Sequence, residues 1–213
     1  LSFCQSIVWD YLNAVTNQFF LAAWWIYANN GGVFNLQDGI LKSISKTFDV
    51  DATDILSLAY NTEKQIFYVF ITGKGLCKYD IKTNKLTLLN NSITGSNCIK
   101  LTNEGLWVGS DEGAFLYNES LNTYSKNYFQ EKTVVRDFYQ QENRLWIATD
   151  GAGLYTITKN QNSPVSYRAT GPVSLLKSRS LYDIFESKNG EIWFGTLRGG
   201  GSMMGEKPLF FNH

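Results

Sequence analysis

Glu191-Ile192-Trp193-Phe194-Gly195-Thr196-Leu197-Arg198-Gly199-Gly200-Gly201 decides the fold. It reads as one strand, a Gly-rich turn and the start of a second strand. Close variants stand upstream, at Arg144-Leu145-Trp146-Ile147-Ala148-Thr149-Asp150-Gly151-Ala152-Gly153 and at Gly105-Leu106-Trp107-Val108-Gly109-Ser110-Asp111-Glu112-Gly113. Looser copies run from Trp24 to Gly32 and from Phe67 to Gly75. The aromatics of the five copies, Trp25, Tyr68, Trp107, Trp146 and Trp193, are spaced 43, 39, 39 and 47 residues apart. A period of roughly 40–50 residues is that of propeller blades.

The residue types give the reason for the repeat. Neighbours on a strand face opposite sides. Each aromatic therefore faces one side, and Ile26, Val69, Val108, Ile147 or Phe194 faces the other. Both faces are apolar, so both must be covered. Gly109, Ala148 and Gly195, two residues after the aromatic, leave room for a bulky neighbour. The glycines that follow suit a hairpin turn at positive φ. Antiparallel sheets buried on both faces and repeated in series point to an all-β fold, a β-propeller of about five four-stranded antiparallel blades. The alternative is a β-sandwich with chance similarity. The blades are expected near residues 5–48, 55–89, 97–128, 133–169 and 181–212 of a single propeller region, 1–213. The first departs most from the pattern, as terminal repeats often do. A short turn is conceivable at Ser174–Ser180.

Composition narrows the function. Lys+Arg and Asp+Glu are 19 each, for a formal net charge of zero. A nucleic-acid surface needs excess positive charge, so none is expected to bind here. The longest apolar run, Phe19 to Ala28, is half of the roughly 20 residues of a membrane helix and reads as a buried strand. The chain opens on Leu1 without a secretion signal, as a piece of a longer protein would. Cys4, Cys77 and Cys98 form no Cys-x-x-Cys pair and the one histidine is His213, so no metal site and no cofactor are expected. Buried thiols are the simplest reading of the cysteines, and a Cys77–Cys98 bridge stays open.

Leu181-Tyr182-Asp183-Ile184-Phe185-Glu186-Ser187-Lys188-Asn189-Gly190-Glu191-Ile192-Trp193-Phe194-Gly195-Thr196, with the glycines after it, resembles the two-component regulator propeller repeat. The likeness is close in the fifth blade, good in the third and fourth, and weak in the first two. It implies the periplasmic sensor propeller of a hybrid two-component histidine kinase from gut glycan-degrading bacteria. It also implies an oligosaccharide ligand, a homodimeric receptor joined to the membrane only through the parent protein, and signalling by rearrangement of that dimer. It further implies a seven-bladed ring of which these blades are part, although a closed five-bladed ring is conceivable from the repeats alone. The motif residues Trp25, Trp107, Gly109, Trp146, Trp193, Gly195 and Gly200 would then be structural, and the domain itself no enzyme.

Candidate site residues come from the channel mouth, where propellers bind ligands. Turns after the second strands carry Asn29, Asn30, Lys74, Asp111, Glu112, Asp150 and Arg198, and inner strands carry Lys100, Arg136, Tyr182 and Asp183. Sugars are held by planar hydrogen-bonding groups and aromatic faces. Arg136, Asp150, Tyr182, Asp183 and Arg198 are the expected ligand-binding set. Two other functions compete. A propeller glycosidase or polysaccharide lyase would use Asp137 and Asp183, which hold comparable inner-strand positions. A protein–protein scaffold would use no chemistry at all.

Overall fold

The computed structural model describes residues 6–8, 24–28, 32–37, 40–43, 54–125, 127–158, 167–168, 178–196 and 199–204. Side chains are described for Ser43 and from Asp54 on, those of Tyr167, Arg168 and Met204 excepted. The Trp25 and Arg198 side chains lie outside this set, as do residues 174–177 of the turn expected at Ser174–Ser180.

The chain forms two compact units, Leu1–Gly95 and Ser96–His213. The first holds two four-stranded antiparallel sheets. One is β1 (Ser6–Val8), β2 (Trp24–Ala28), β3 (Gly32–Gln37) and β4 (Ile40–Ser43); the other is β5 (Ile55–Asn61), β6 (Ile66–Ile71), β7 (Gly75–Asp80) and β8 (Lys85–Asn90). The second unit holds three sheets, called blades 3, 4 and 5 below. Blade 3 is β9 (Cys98–Thr102), β10 (Gly105–Gly109), β11 (Ala114–Asn118) and β12 (Thr123–Tyr124). Blade 4 is β13 (Val134–Gln141), β14 (Arg144–Asp150), β15 (Gly153–Thr158) and β16 (Tyr167–Arg168). Blade 5 is β17 (Leu181–Glu186), β18 (Ile192–Thr196) and β19 (Gly201–Met204) among the described residues. In every sheet successive strands are neighbours, and no α-helix occurs among the described residues. This is the all-β, bladed propeller architecture that the repeat predicts.

The alternation in the second strands works as read. All six residues of β6 are buried. Its Phe67, Val69 and Ile71 join Ile55, Leu58, Cys77 and Tyr79 in one cluster, while Tyr68 and Phe70 are buried on the opposite face. Ile147 of β14 packs with Trp107, Val135, Phe138 and Leu145 at the blade 3–blade 4 junction. Its neighbour Trp146 turns the other way, onto Leu181, Ile184, Ile192 and Phe194 of blade 5. Each such side chain contributes about 1.5–3 kcal/mol of burial.

Turn chemistry also repeats. Asp80 Oδ1 accepts the N–H groups of Lys82 and Thr83, Asn84 takes φ 52°, and Tyr79 donates to Asn84 Oδ1 at 2.8 Å. One blade later Asn118 caps Leu121 N–H, Asn122 takes φ 51°, and Tyr117 donates to Asn122 Oδ1 at 2.9 Å. Short Asx side chains bond the turn backbone and tolerate the left-handed conformation, which explains their use here. Cys77 and Cys98 are free thiols, so no bridge joins them.

Candidate functional site

The inner strands of three sheets share one irregularity. Register shifts occur between Ile55 and Ser57, between Val135 and Asp137, and between Leu181 and Asp183. One residue in each is left over from the ladder, and a bulge of this kind re-aims the side chain it frees. In blade 4 that residue is Arg136, and in blade 5 it is Tyr182.

These two side chains meet. The Arg136 guanidinium lies 5.1 Å from the Tyr182 ring centre. Both donate to one oxygen of Asp150 at the end of β14, Arg136 Nη2 at 3.0 Å and Tyr182 OH at 2.9 Å. The loop before blade 5 is fixed to the same turn, because Gly151 and Gly153 donate their N–H groups to Arg179 O at 3.1 and 2.9 Å. Hydrogen bonds from Ser180, first, and then from Arg136 and Tyr182 hold the Asp150 carboxyl below its usual range. Burial, and then the bond to Asp150, raise the Tyr182 phenol. About a quarter of the Arg136 and Asp150 side chains is exposed (28% and 26%), so the cluster forms a half-open patch. Blade 3 carries a smaller version in which Asn97 donates to Asp111 Oδ1 at 2.8 Å and to Val135 O at 3.1 Å.

Asp183 does not join that patch. It pairs with Asp137, whose carboxylate is spent on backbone. Asp137 Oδ1 accepts from Phe138 N–H at 2.8 Å and Oδ2 from Ile184 N–H of blade 5 at 2.9 Å. Burial, above all, together with the hydrogen-bonded Asp183 carboxyl, pushes Asp137 up to about 7, against the pull of the Ile184 N–H and of Lys100. Glycoside hydrolysis separates its two carboxyls by about 5–9.5 Å to fit a sugar or a water. Asp137, with both carboxyl oxygens held by backbone N–H groups of two strands, is a brace rather than a hydrolase's free acid or base.

The expected set therefore divides. Arg136, Asp150 and Tyr182 converge, Asp183 belongs to the Asp137 pair, and Arg198 lies outside the described residues. Lys74 sits on an exposed turn, and Glu112 is exposed in an ion pair with Lys132 at 2.6 Å. Sequence reasoning missed Ser180 and Asn97, whose roles depend on bulges and loop paths that leave no pattern in residue order. It also missed Glu186, which accepts from Tyr139 and, at 3.1 Å, from Gln141 Nε2. Among the described residues no group of three or more His, Cys, Asp or Glu could hold a metal ion.

Of the motif residues, Trp107 is 1% exposed and Trp146 3%, both between blades, while Trp193 is only half-buried. Gly200 turns at φ 73° with no atom near its missing side chain, so the backbone conformation is what favours glycine there.

Comparison with known proteins agrees with this architecture. Residues 175–198 match the two-component regulator propeller family. The chain is 28% identical over 173 residues to Histidine kinase P4 of Formosa agariphila, an alignment covering 73% of this chain and 12% of that protein. It is similar in fold to the extracellular domain of the putative hybrid two-component system BT3049 from B. thetaiotaomicron, with a TM-score of 0.70 and 20% identity, over 87% of this chain and 25% of that one. The extracellular domain of the putative one-component system BT4673 from the same organism gives a TM-score of 0.66 at 22% identity, over 85% of this chain and 26% of that one. The chain thus carries the two-component regulator propeller repeat on a β-propeller fold, and spans a small part of the proteins it matches.

Proposed function

We propose that this chain is part of the extracytoplasmic, periplasmic sensing propeller of a hybrid two-component histidine kinase. Its ligand is an oligosaccharide, held at the Arg136–Asp150–Tyr182 patch and read out by repacking of two receptor copies. The observation that carries this reading is the convergence of a guanidinium, a carboxylate and a phenol ring at one half-open edge. Such planar donors and acceptors beside an aromatic face are the groups that hold sugar hydroxyls and rings. The patch is charge-compensated, because Arg136 is paired with Asp150. It therefore suits neutral hydroxyl-rich ligands better than polyanions, in keeping with a chain of zero formal charge. The likeness to extracellular domains and to a histidine kinase supports the location and the parent class.

Titration calorimetry against a panel of defined neutral oligosaccharides tests the site. At least one should bind, and Arg136→Ala or Asp150→Ala should weaken it ten-fold or more while the far-ultraviolet dichroism stays unchanged. A bound sugar whose affinity ignores both substitutions, or a panel with no binder at millimolar concentration, would sink the proposal.

A further inference from the structure

The inner strands β13 and β17 are edge strands, since each has one neighbour in its sheet. An edge strand leaves alternate N–H groups outside the ladder. Asp137 takes one N–H from each of these strands. Its Oδ1 accepts Phe138 N–H at 2.8 Å and its Oδ2 accepts Ile184 N–H at 2.9 Å. Phe138 and Ile184 are equivalent positions, opposite Ile147 and Phe194 in their ladders. One carboxyl group therefore fixes the offset of the two strands along their length.

Two residues upstream of these equivalent positions stand Arg136 and Tyr182. They are the residues that the register shifts leave out of the ladder, so cross-strand pairing does not hold them. The backbone upstream of each is tied elsewhere. Val135 donates its N–H to Ser110 O at 2.9 Å, and Arg179 O accepts from Gly151 and Gly153. Downstream, Asp137 ties the two strands to each other. The patch needs that tie. Arg136 Nη2 and Tyr182 OH reach one Asp150 oxygen at 3.0 and 2.9 Å, and a slip of about 1 Å would carry them beyond hydrogen-bond range.

We infer that Asp137 is a positioning residue for the Arg136–Asp150–Tyr182 patch, and that its carboxyl group sets how tightly the patch holds an oligosaccharide. This rests on the reading of the patch as the ligand site. Asp137 itself lies off the patch, on the blade face that it shares with its cross-strand partner Ala148, which is 0% exposed. It therefore acts through Arg136 and Tyr182 rather than on the sugar. Two acceptor oxygens on a short stem are what two N–H groups from adjacent strands need. Asparagine offers one such oxygen and alanine none.

Hydrogen exchange at Arg136 Nε–H, followed by heteronuclear NMR on the intact chain, tests the positioning without any ligand. That nitrogen is buried and has no hydrogen-bond partner, so its protection depends on where the bulge holds the side chain. In Asp137→Ala its exchange should quicken about ten-fold relative to the amide of the buried Ile147, and Asp137→Asn should fall between Ala and wild type. Calorimetry with neutral gluco-, xylo- and manno-oligosaccharides is the second arm. A sugar that the wild type binds should lose about ten-fold in affinity in Asp137→Ala, and less in Asp137→Asn. An Arg136 exchange rate that keeps its wild-type ratio to Ile147 in Asp137→Ala would overturn the positioning. A sugar bound equally by wild type and Asp137→Ala would overturn its consequence for affinity. If the wild type binds none of these sugars while the exchange quickens as expected, the oligosaccharide reading fails and the positioning stands.

Discussion

The blade 3–blade 4 and blade 4–blade 5 junctions are built from the same repeat and closed by different chemistry. Opposite the small residue of the second strand stands Cys98 in blade 3 and Asp137 in blade 4. The first junction is apolar. Trp107 lies 4.6 Å from the Tyr128 ring and 5.9 Å from Phe138, its indole N–H has no partner, and burial pushes the Cys98 thiol well above its usual range. Cys98 is thus a neutral filler rather than a nucleophile. The second junction is polar at its rim. Asp137 braces Phe138 and Ile184, Tyr139 donates to Glu186, and the Trp146 indole donates to Gln141 Oε1 at 3.2 Å. The difference teaches that the repeat conserves volume and hydrogen-bond accounting rather than residue type. Every N–H that a bulge frees must find an acceptor, and either blade can supply it.

The largest expected effect tests how far burial differs along this series. Trp107→Ala removes a 1%-exposed side chain from the first junction and should cost about 3–5 kcal/mol. Trp193→Ala removes the equivalent, half-buried ring of blade 5 and should cost about 1–2 kcal/mol in the same urea titration. Equal losses would break the comparison, because they would mean that the blade 5 ring is as enclosed in solution as Trp107.

A smaller effect separates the two glycines. A Cβ on Gly109 would stand 2.5 Å from Cys98 Sγ, 2.7 Å from Val135 Cγ1 and 3.0 Å from Phe138 Cε2. Gly109→Ala should therefore cost about 2 kcal/mol by overpacking. Gly195→Ala meets only ordinary contact at 3.5 Å and should stay within about 0.5 kcal/mol. Thermal unfolding of the two variants side by side reads this contrast, and a mild Gly109→Ala would show that the junction can yield.

The repeat was legible because its signal is dense. One aromatic, one small residue and one turn glycine recur at a steady period, and burial on both faces leaves the alternation few other readings. The bulges were not legible, since an extra residue in a seven- or eight-residue strand barely disturbs its pattern. That is why residue type could select Arg136, Asp150 and Tyr182 while grouping Asp183 with them wrongly in space. Asp183 lies one residue past the bulge and so shares the ladder, and the face, of Asp137's own position rather than that of Tyr182. The Tyr139–Glu186 contact spans 47 residues of sequence and exists only once two blades stack.

The smallest effect concerns Asp137 and sharpens the polar side of the comparison. Its folded carboxyl holds a proton up to about 7, chiefly through burial and with help from Asp183, while an unfolded aspartate titrates near 3.9. The folded protein therefore binds the proton more tightly than the unfolded chain. The stabilisation is complete below about pH 4 and dwindles as pH rises through about 7. Asp150 has the opposite sign, since its carboxyl is held low and its contribution is lost only as pH falls below the usual carboxylate range. Between pH 5 and 8 the slope thus belongs to Asp137, faced by Asp183 and Lys100. Urea unfolding should show stability falling by on the order of 1 kcal/mol across that window. Asp137→Asn keeps an oxygen for one of the two backbone N–H groups and offers Asp183 a permanent donor, so its profile should be flat. An Asn variant with the wild-type slope would move the titration to another group and leave Asp137 as a hydrogen-bond brace alone.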